Sequence, residues 1–552
     1  MDSKPALSAG ANTFDPGIIR WIMKIVKISL IIVAFSTLAL VACEETPEEP
    51  TVFLATEHQF ESLLSEAQID YTVPAQVPNI MVNQLGYLSG ADKMAIFRGA
   101  DVGGVFRVVD ADSGRTVLSG NIEERGYNAT FDEYLSYGSF TDLDMPGRYY
   151  LEAPAVGRSF FFSMGDNLYD PVWLAVSRQY YLNRCGYELT EEYAGHYARE
   201  ACHTEEALLL EDESISLDVS GGWHQDAYGS KDTYVAAKVA ALLLLSYELN
   251  GPAYTDQTGI PESDNQIPDL LDEVRFGVEW LLKMQDAASG GVYAGLTFEP
   301  QEGRAYVEPV SAEATKIFCA VMAKFSYLYQ GFDNAYATQC LRAAERAWRY
   351  LEQNHGETID ETYFFAATEM FRASGQQSYN RIVTRYLRGD DYQELFVDTL
   401  GGAAPDGRQE VIMLGTVSYL LTKSRAVDRE LCNEIMKTIL LFAEDISARS
   451  RASQYLTAAN EKQDNNAELL ADMLFLALVN YVITNYEYGT VIENHLHFFL
   501  GRNAAGISYI DEIGGLNYKE LDSRLGIMNH IEANAKLYFI LSSVIGNAVT
   551  GE

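Results

Sequence analysis

Two kinds of hydrophobic patterning divide the chain near residue 165. From Asn79 to about Gly165, short apolar runs (IMVNQLGY, KMAIFRG, GVFRVVDADSGRTVLSG, YLSYGSFTDL, GRYYLEA, RSFFFSMG) are separated by Ser-Gly, Asp-Ser-Gly and Pro-Gly turns. Runs of this kind predict β-strands, and six or seven of them in so short a stretch predict a β-sandwich of immunoglobulin type. Asn83, Gln84 and Tyr87 are expected to dock this sandwich on its neighbour. From Tyr169 onward apolar residues recur at helical spacing, as in Leu242, Leu245 and Leu249 or Val274, Val278 and Leu281. Helices are predicted over 168–184, 233–250, 268–285, 312–330, 334–354, 361–374, 408–423, 427–447, 464–486, 488–500 and 528–546, with no further strands. About a dozen helices in paired succession, without a short sequence repeat, predict an all-α toroid. The loop-bearing end of such a toroid is concave, the natural place for a ligand.

The N-terminus has a different grammar. Lys24 and Lys27 precede Ile28 to Leu40, an apolar stretch short for a membrane span. It ends Leu40-Val41-Ala42-Cys43, similar to a bacterial lipobox, with cleavage before Cys43 and a lipid on its thiol. The alternative is a secretory signal followed by an incidental cysteine. Both take the mature protein out of the cytoplasm, and the first makes it a cell-surface or periplasmic lipoprotein on a bacterial membrane. Residues 1–43 are thus upstream residues plus a signal, and 44–77 an acidic, proline-punctuated tether that a short helix near 60–67 interrupts. The sandwich follows over 78–165 and the toroid over 166–548.

Charge narrows the partners. With 78 acidic against 40 basic residues the formal net charge is −38, which argues against nucleic acid and anionic lipid surfaces. The abundance of Tyr (35) and Phe (25) suits polar, ring-shaped ligands as well as ordinary core packing.

Cysteine and histidine supply the clearest local chemistry. Cys185, Cys202, His203 and His224 are spaced C-x16-C-H-x20-H, and two thiolates with two imidazoles close a tetrahedral structural zinc site. A Cys185–Cys202 disulfide is the competing reading in an oxidising compartment. Cys319 and Cys340 sit in apolar helical patterns as small buried hydrophobes. Asp269, Asp272 and Glu273 offer calcium ligands, or simply negative charge at a helix N-terminus.

Eight blocks, taken together, resemble family 9 glycoside hydrolases of the subgroup with an N-terminal immunoglobulin-like module. They are YYLNRCG, YAGHYAREACHT, LDVSGGWH, IPDLLDEVRFGVEWLLKMQD, GGVY, EPVSAEAT, EMFRASG and HFFLGRNAAGISYI, all in the family's order. The sandwich opening NIMVNQLGYLSGADKMAIF and the strand GRYYLEA extend the match, which runs from Asn79 to Ala548. The resemblance implies an (α/α)6 barrel, a β-1,4-glucan or related β-glycan as ligand, inverting hydrolysis, and a structural zinc on Cys185, Cys202, His203 and His224.

Inverting hydrolysis needs one carboxylate to activate water and one carboxylic acid to protonate the leaving oxygen. Family members carry DAGD after GGWH; this chain reads GGWHQDAYGSKD. Aligned without gaps, Gln225 and Tyr228 replace the two aspartates. One inserted residue restores Asp226 but leaves Gly229 in the second place, which Asp232 could take by folding back. Asp232 also reads as a plain helix N-cap. The family's acid opens the last helix, where this chain has Met528; Glu532 lies one turn later, about 6 Å of rise. The loop before that helix lacks the family's His-His-Arg triplet, leaving Arg524 and His530 as nearby cations and Asp511, Glu512 and Glu520 as spare carboxylates. The catalytic candidates are therefore Asp226, Asp232 and Glu532. Trp223 and Tyr228 are the expected ligand contacts, with Tyr293, Tyr306 and Phe364 reading equally as core. Three readings follow: a β-glycan hydrolase with a rearranged and weakened site, a non-catalytic glycan-binding lipoprotein, and a structural partner in a surface assembly.

Overall fold

The computed structural model describes residues 77–226, 228–354, 358–397, 405–458, 466–483, 488–510 and 530–550, all within one unit spanning Ala55–Glu552. Cys43, the tether, Asp511, Glu512, Glu520, Arg524 and Met528 lie outside the described residues.

Ten strands build the sandwich. They are β1 (Ile80–Met81), β2 (Gly86–Tyr87), β3 (Met94–Arg98), β4 (Val105–Asp110), β5 (Thr116–Asn121), β6 (Glu123–Asn128), β7 (Glu133–Ser139), β8 (Gly147–Ala153), β9 (Gly157–Arg158) and β10 (Phe162–Met164). One sheet runs β1-β3-β7-β6 and the other β2-β10-β8-β4-β5, with β9 paired to β8. Alternate side chains turn inward, so Phe97, Phe106, Val108, Leu151 and Phe162 are fully or nearly fully buried between the sheets. Tyr87 seals one end, edge-on to Phe140 and Phe162 at 5.1 and 5.5 Å. The Asp-Ser-Gly turn forms as its residues demand: Asp110 Oδ1 accepts from the Ser113 N–H at 2.7 Å and Gly114 takes φ +68°. Strand β6 (EERGYN) escaped the sequence reading because its first three residues are exposed and polar.

Thirteen helices of eight or more residues follow among the described residues: α1 (Asp170–Leu182), α2 (Thr233–Asn250), α3 (Asp269–Lys283), α4 (Ala312–Tyr329), α5 (Asn334–Asn354), α6 (Glu361–Ser374), α7 (Gln377–Leu387), α8 (Asp390–Val397), α9 (Gly407–Leu420), α10 (Arg429–Ala452), α11 (Asn466–Ile483), α12 (Gly489–Phe499) and α13 (Ile531–Thr550). Six of them close a ring, each packing on the next: α2, α4, α6, α9, α11, α13 and back to α2. The others lie outside, α1 against α13, α3 against α2, α5 against α4, α7 against α6, and α10 and α12 against α11. Sequence explains the division. Every residue from Ala236 to Ser246 in α2 and from Leu469 to Asn480 in α11 is buried, as expected of helices apolar on all sides. Helix α11 is long and apolar enough to cross a membrane by composition alone, and here it is an inner stave of the ring. Outer helices such as α5 and α7 bury one stripe only.

Inner and outer helices alternate, so the inner six run parallel and their N-termini gather at one end. Four of those ends are capped by side chains: Asp232, Ser311, Asp360 and Asp406 accept from Val235, Ala314, Tyr363 and Gln409 N–H groups. The expectation that strands vanish after Tyr169 is corrected here. Ala207–Leu209, Asp212–Leu217, Lys231–Asp232, Gly295–Glu299 and Arg304–Val307 form a five-stranded sheet, and Val292–Tyr293 pairs with Val310–Ser311. These strands are short, and Asp212–Leu217 is almost wholly exposed, so no alternation marks them.

Asn83, Gln84 and Tyr87 join sandwich to barrel. Asn83 Oδ1 accepts from the Leu85 and Gly86 N–H groups at 3.0 and 3.1 Å, while its Nδ2 meets His497 Nδ1 at 3.0 Å. The Gln84 N–H donates to the Leu500 carbonyl at 2.7 Å and its Nε2 to the Gly506 carbonyl at 2.6 Å. The Tyr87 ring lies 4.6 Å from the His497 ring. Asn83→Ala strips the half-buried Leu85 N–H, the buried Gly86 N–H and an imidazole of their partner, and is expected to cost about 1–3 kcal/mol. Urea unfolding of the variant beside the wild type measures it.

Candidate functional site

The chain is drawn together just after α1. The Cys185 N–H donates to the Gly222 carbonyl at 2.7 Å and the His224 N–H to the Asn183 carbonyl at 2.8 Å, which sets Cys185 beside His224. A second bridge, Leu189 with Arg199, returns the chain so that Cys202 and His203 face them. The ligand atoms of Cys185, Cys202, His203 and His224 all lie within 4.8 Å of one another. Cys185 Sγ is 3.7 Å from His203 Nδ1, and Cys202 Sγ is 3.2 Å from His224 Nε2. Bonds of about 2.0–2.3 Å to one tetrahedral ion put ligand atoms about 3.3–3.8 Å apart, so the set fits a metal with little adjustment. Both cysteines are free thiols in this structure, which gives the disulfide reading no support. Two cations back the sulfurs: Arg199 Nη1 donates to Cys202 Sγ at 2.9 Å and Lys231 Nζ to Cys185 Sγ at 3.4 Å. Burial pushes His224 down to about 4, keeping the imidazole neutral, the form that ligates. Among the described residues no other His, Cys, Asp and Glu group gathers in this way.

Asp269, Asp272 and Glu273 have other work. Asp269 Oδ2 accepts from Thr258 Oγ1 and Ser263 Oγ at 2.7 and 2.9 Å, Asp272 from Asn265 Nδ2 at 3.0 Å, and Glu273 pairs with Arg184 at 2.9 Å.

The 225–232 loop rests directly on the cluster. Gly229, at φ +90°, leaves room for the His203 ring, which a Cβ there would approach within 2.7 Å. The Gln225 side-chain amide closes the loop on the Asp232 backbone, accepting from its N–H and donating to its carbonyl, both at 2.9 Å. Asp226 Oδ1 accepts from the N–H groups of Tyr228, Gly229 and Ser230 at 2.8, 2.8 and 3.0 Å. Asp232 Oδ1 accepts from the Val235 N–H at 2.9 Å. One oxygen of each aspartate therefore serves the backbone.

Tyr228 is 58% exposed and lines a cavity of about 650 Å³ with His203, Glu205, Glu213, Phe298 and Arg304. Trp223 does not join it, correcting its expected place at the ligand. It is 1% exposed, edge-on to Tyr180 at 5.4 Å, and packed on Gly277, where a Cβ would come within 2.3 Å of its ring. Tyr293, Tyr306 and Phe364 are buried as well.

Glu532 stands inside the ring of helices and in a charged square. Lys238 Nζ of α2 lies 2.5 Å from Glu410 of α9 and 2.9 Å from Glu532 of α13; Lys536 Nζ lies 2.5 Å from Glu410 and 3.2 Å from Glu532. Burial opposes ionisation of Glu532, but Lys238 and then Lys536 outweigh it and hold the carboxyl down at about 2. A carboxylate so fixed accepts hydrogen bonds and has no proton to give at neutral pH. His530, just ahead of α13, is exposed. Sequence reading missed Lys238, Glu410 and Lys536. Their signal was there: single charges inside the apolar runs AAKVAALLLL, QEVIML and ANAKLYFIL, each needing a partner on another helix.

Residues 169–537 match glycosyl hydrolase family 9, and residues 75–158 match the cellulase N-terminal ig-like domain. The xyloglucan-specific endo-β-1,4-glucanase of Bacteroides ovatus is 27% identical over 512 residues, covering 83% of this chain and 84% of that one. A cellodextrinase of Butyrivibrio fibrisolvens is 26% identical over 497 residues, covering 82% and 88%. Among solved structures, a Bacteroides ovatus family 9 protein superposes with a TM-score of 0.74 at 22% identity, over 85% of this chain and 99% of that chain.

Ionised Glu532 stabilises the fold through Lys238 and Lys536. Its stabilisation is complete above the ordinary glutamate range and is lost as pH falls through about 2. Urea midpoints of wild type and Glu532→Gln, compared from pH 6 to pH 2, are expected to differ most at pH 6 and to converge in acid.

Proposed function

Since the chain belongs to glycosyl hydrolase family 9, we propose that its barrel mouth binds a β-1,4-glucan or related β-glycan and that hydrolysis there is weakened or lost. The observation that carries this is the clamping of Glu532 between Lys238 and Lys536. With a carboxyl held at about 2, roughly one molecule in 10⁵ is protonated at pH 7, too few for the acid that inverting hydrolysis requires. The base is compromised as well. Asp226 and Asp232 each commit an oxygen to backbone N–H groups, and Gln225, in a family aspartate position, cannot take a proton from water. Any residual turnover would rely on Asp226 or Asp232 to activate water and on the rare protonated form of Glu532 as the acid. Tyr228, exposed on the cavity wall, is the residue against which a sugar ring stacks.

The metal held by Cys185, Cys202, His203 and His224 is zinc in this reading, because thiolate and imidazole in a closed tetrahedral set suit that ion. Its role is structural. Bound there, it supplies a fixed support beneath the 225–232 loop. The protein meets its glycan outside the cytoplasm, held at a bacterial membrane by a lipid on Cys43.

Purified protein incubated with cellodextrins and mixed-linkage β-glucan is expected to bind them while releasing reducing sugar on the order of 10²–10⁴-fold more slowly than an intact family member, the usual contribution of a general acid. Full turnover that Glu532→Gln abolishes would establish an active hydrolase with a rearranged site instead. Metal analysis is expected to find stoichiometric zinc in the wild type and none in Cys202→Ser; equal, negligible zinc in both would remove the metal.

A further inference from the structure

The outer face of the sandwich's larger sheet bears a row of rings and guanidinium groups used neither by the barrel nor by the interface. Arg148, Tyr150 and Glu152 alternate along β8 and so share one face. Phe161 stands beside Tyr150, ring centroids 5.6 Å apart at 85°. The Arg148 guanidinium lies 4.3 Å over the Phe161 ring and that of Arg158 lies 5.1 Å over Tyr150. Arg107 donates to Glu152 Oε2 through Nε and Nη2 at 2.8 and 2.5 Å, and Arg158 Nε donates to Oε1 at 3.1 Å. Two arginines thus share one carboxylate, and Arg148 has no carboxylate partner among the described residues. Phe161 is half exposed, and so is the Arg158 side chain.

This cationic, aromatic strip sits on a chain of net charge −38. We propose that it is a binding face for an acidic polysaccharide, one whose sugar rings carry carboxylates. The apolar faces of pyranose rings stack on exposed aromatic rings. A guanidinium already resting over a ring has N–H groups left to grip a carboxylate, and loses little freedom in doing so. Arg148 is four residues along the strand from Glu152, which pairs with Arg158 in register. That is about 13 Å at strand rise, room for a short oligosaccharide rather than a single sugar. An anionic membrane, being a broad surface, would instead confront the acidic remainder of the chain. The site is separate from the barrel mouth and stands whether or not hydrolysis occurs there.

Affinity electrophoresis of the full chain in gels containing polygalacturonate or glucuronoxylan, beside neutral mixed-linkage β-glucan, tests the proposal. The wild type is expected to be retarded by the acidic polymers, less so as salt rises. The double variant Arg148→Gln/Arg158→Gln is expected to weaken that retardation by about tenfold or more, the worth of one charge-assisted hydrogen bond, and Phe161→Ala to weaken it by removing the stacking ring. Retardation by the neutral glucan stays unchanged, and circular dichroism verifies that these surface variants fold. Absence of wild-type retardation at low salt, equal retardation of the variants, or equal binding to anionic lipid vesicles would each overturn it.

Discussion

Buried charge must find buried partners, and at the centre of this barrel four charges do so in a closed square. Lys238, Glu410, Lys536 and Glu532 come from three inner helices that are otherwise apolar. Each has two partners of opposite sign, and removing any one leaves the other three with an unbalanced charge in a largely buried site, which is costly. The square therefore holds α2, α9 and α13 in register at the end where the inner helices begin. It also holds the Glu532 carboxyl in its ionised form.

The cluster of Cys185, Cys202, His203 and His224, which could hold a metal, acts on the same end of the barrel from outside the ring. Its four ligands come from three separate stretches, gathered by backbone pairing between 183–185 and 222–224. The His203 ring occupies the space that Gly229 leaves open, so the loop carrying Gln225 and Asp226 is seated on the cluster. Lys231 joins the two, donating to Cys185 Sγ and to the Gly221 carbonyl. The loop's geometry thus depends on the clip, while its own hydrogen bonds turn its carboxylates toward the backbone. The sandwich is fastened on through Asn83, Gln84 and Tyr87 with His497. It presents its arginine-lined outer sheet to solvent.

Much of this was legible in the amino-acid order, because local periodicity survives folding. Apolar spacing located the long helices to within a few residues, and turn residues located most strands of the sandwich. The family's collinear blocks brought forward the four cysteines and histidines that the structure gathers, and Gln225 and Met528 stand where the resemblance leads one to expect acids. Strands that are short or wholly solvated carry no periodic mark, which is why β6 and the sheet around 207–307 went unread. A tryptophan in a glycine-rich loop reads the same whether it faces a sugar or the core, and only the contact of Trp223 with Gly277 distinguishes them.

What the order of residues determined by itself was the set of elements, their sequence, and which chemical groups were available. Hydrophobic period and turn chemistry act between neighbours in the chain, so they can be read along it. Only the tertiary structure decided what those groups became. Lys238 and Glu410 are 172 residues apart and Lys238 and Glu532 are 294 apart, and their pairing exists only because closure of the helical ring brings α2, α9 and α13 together. Protonation, and with it the capacity for catalysis, is set by such neighbours in space.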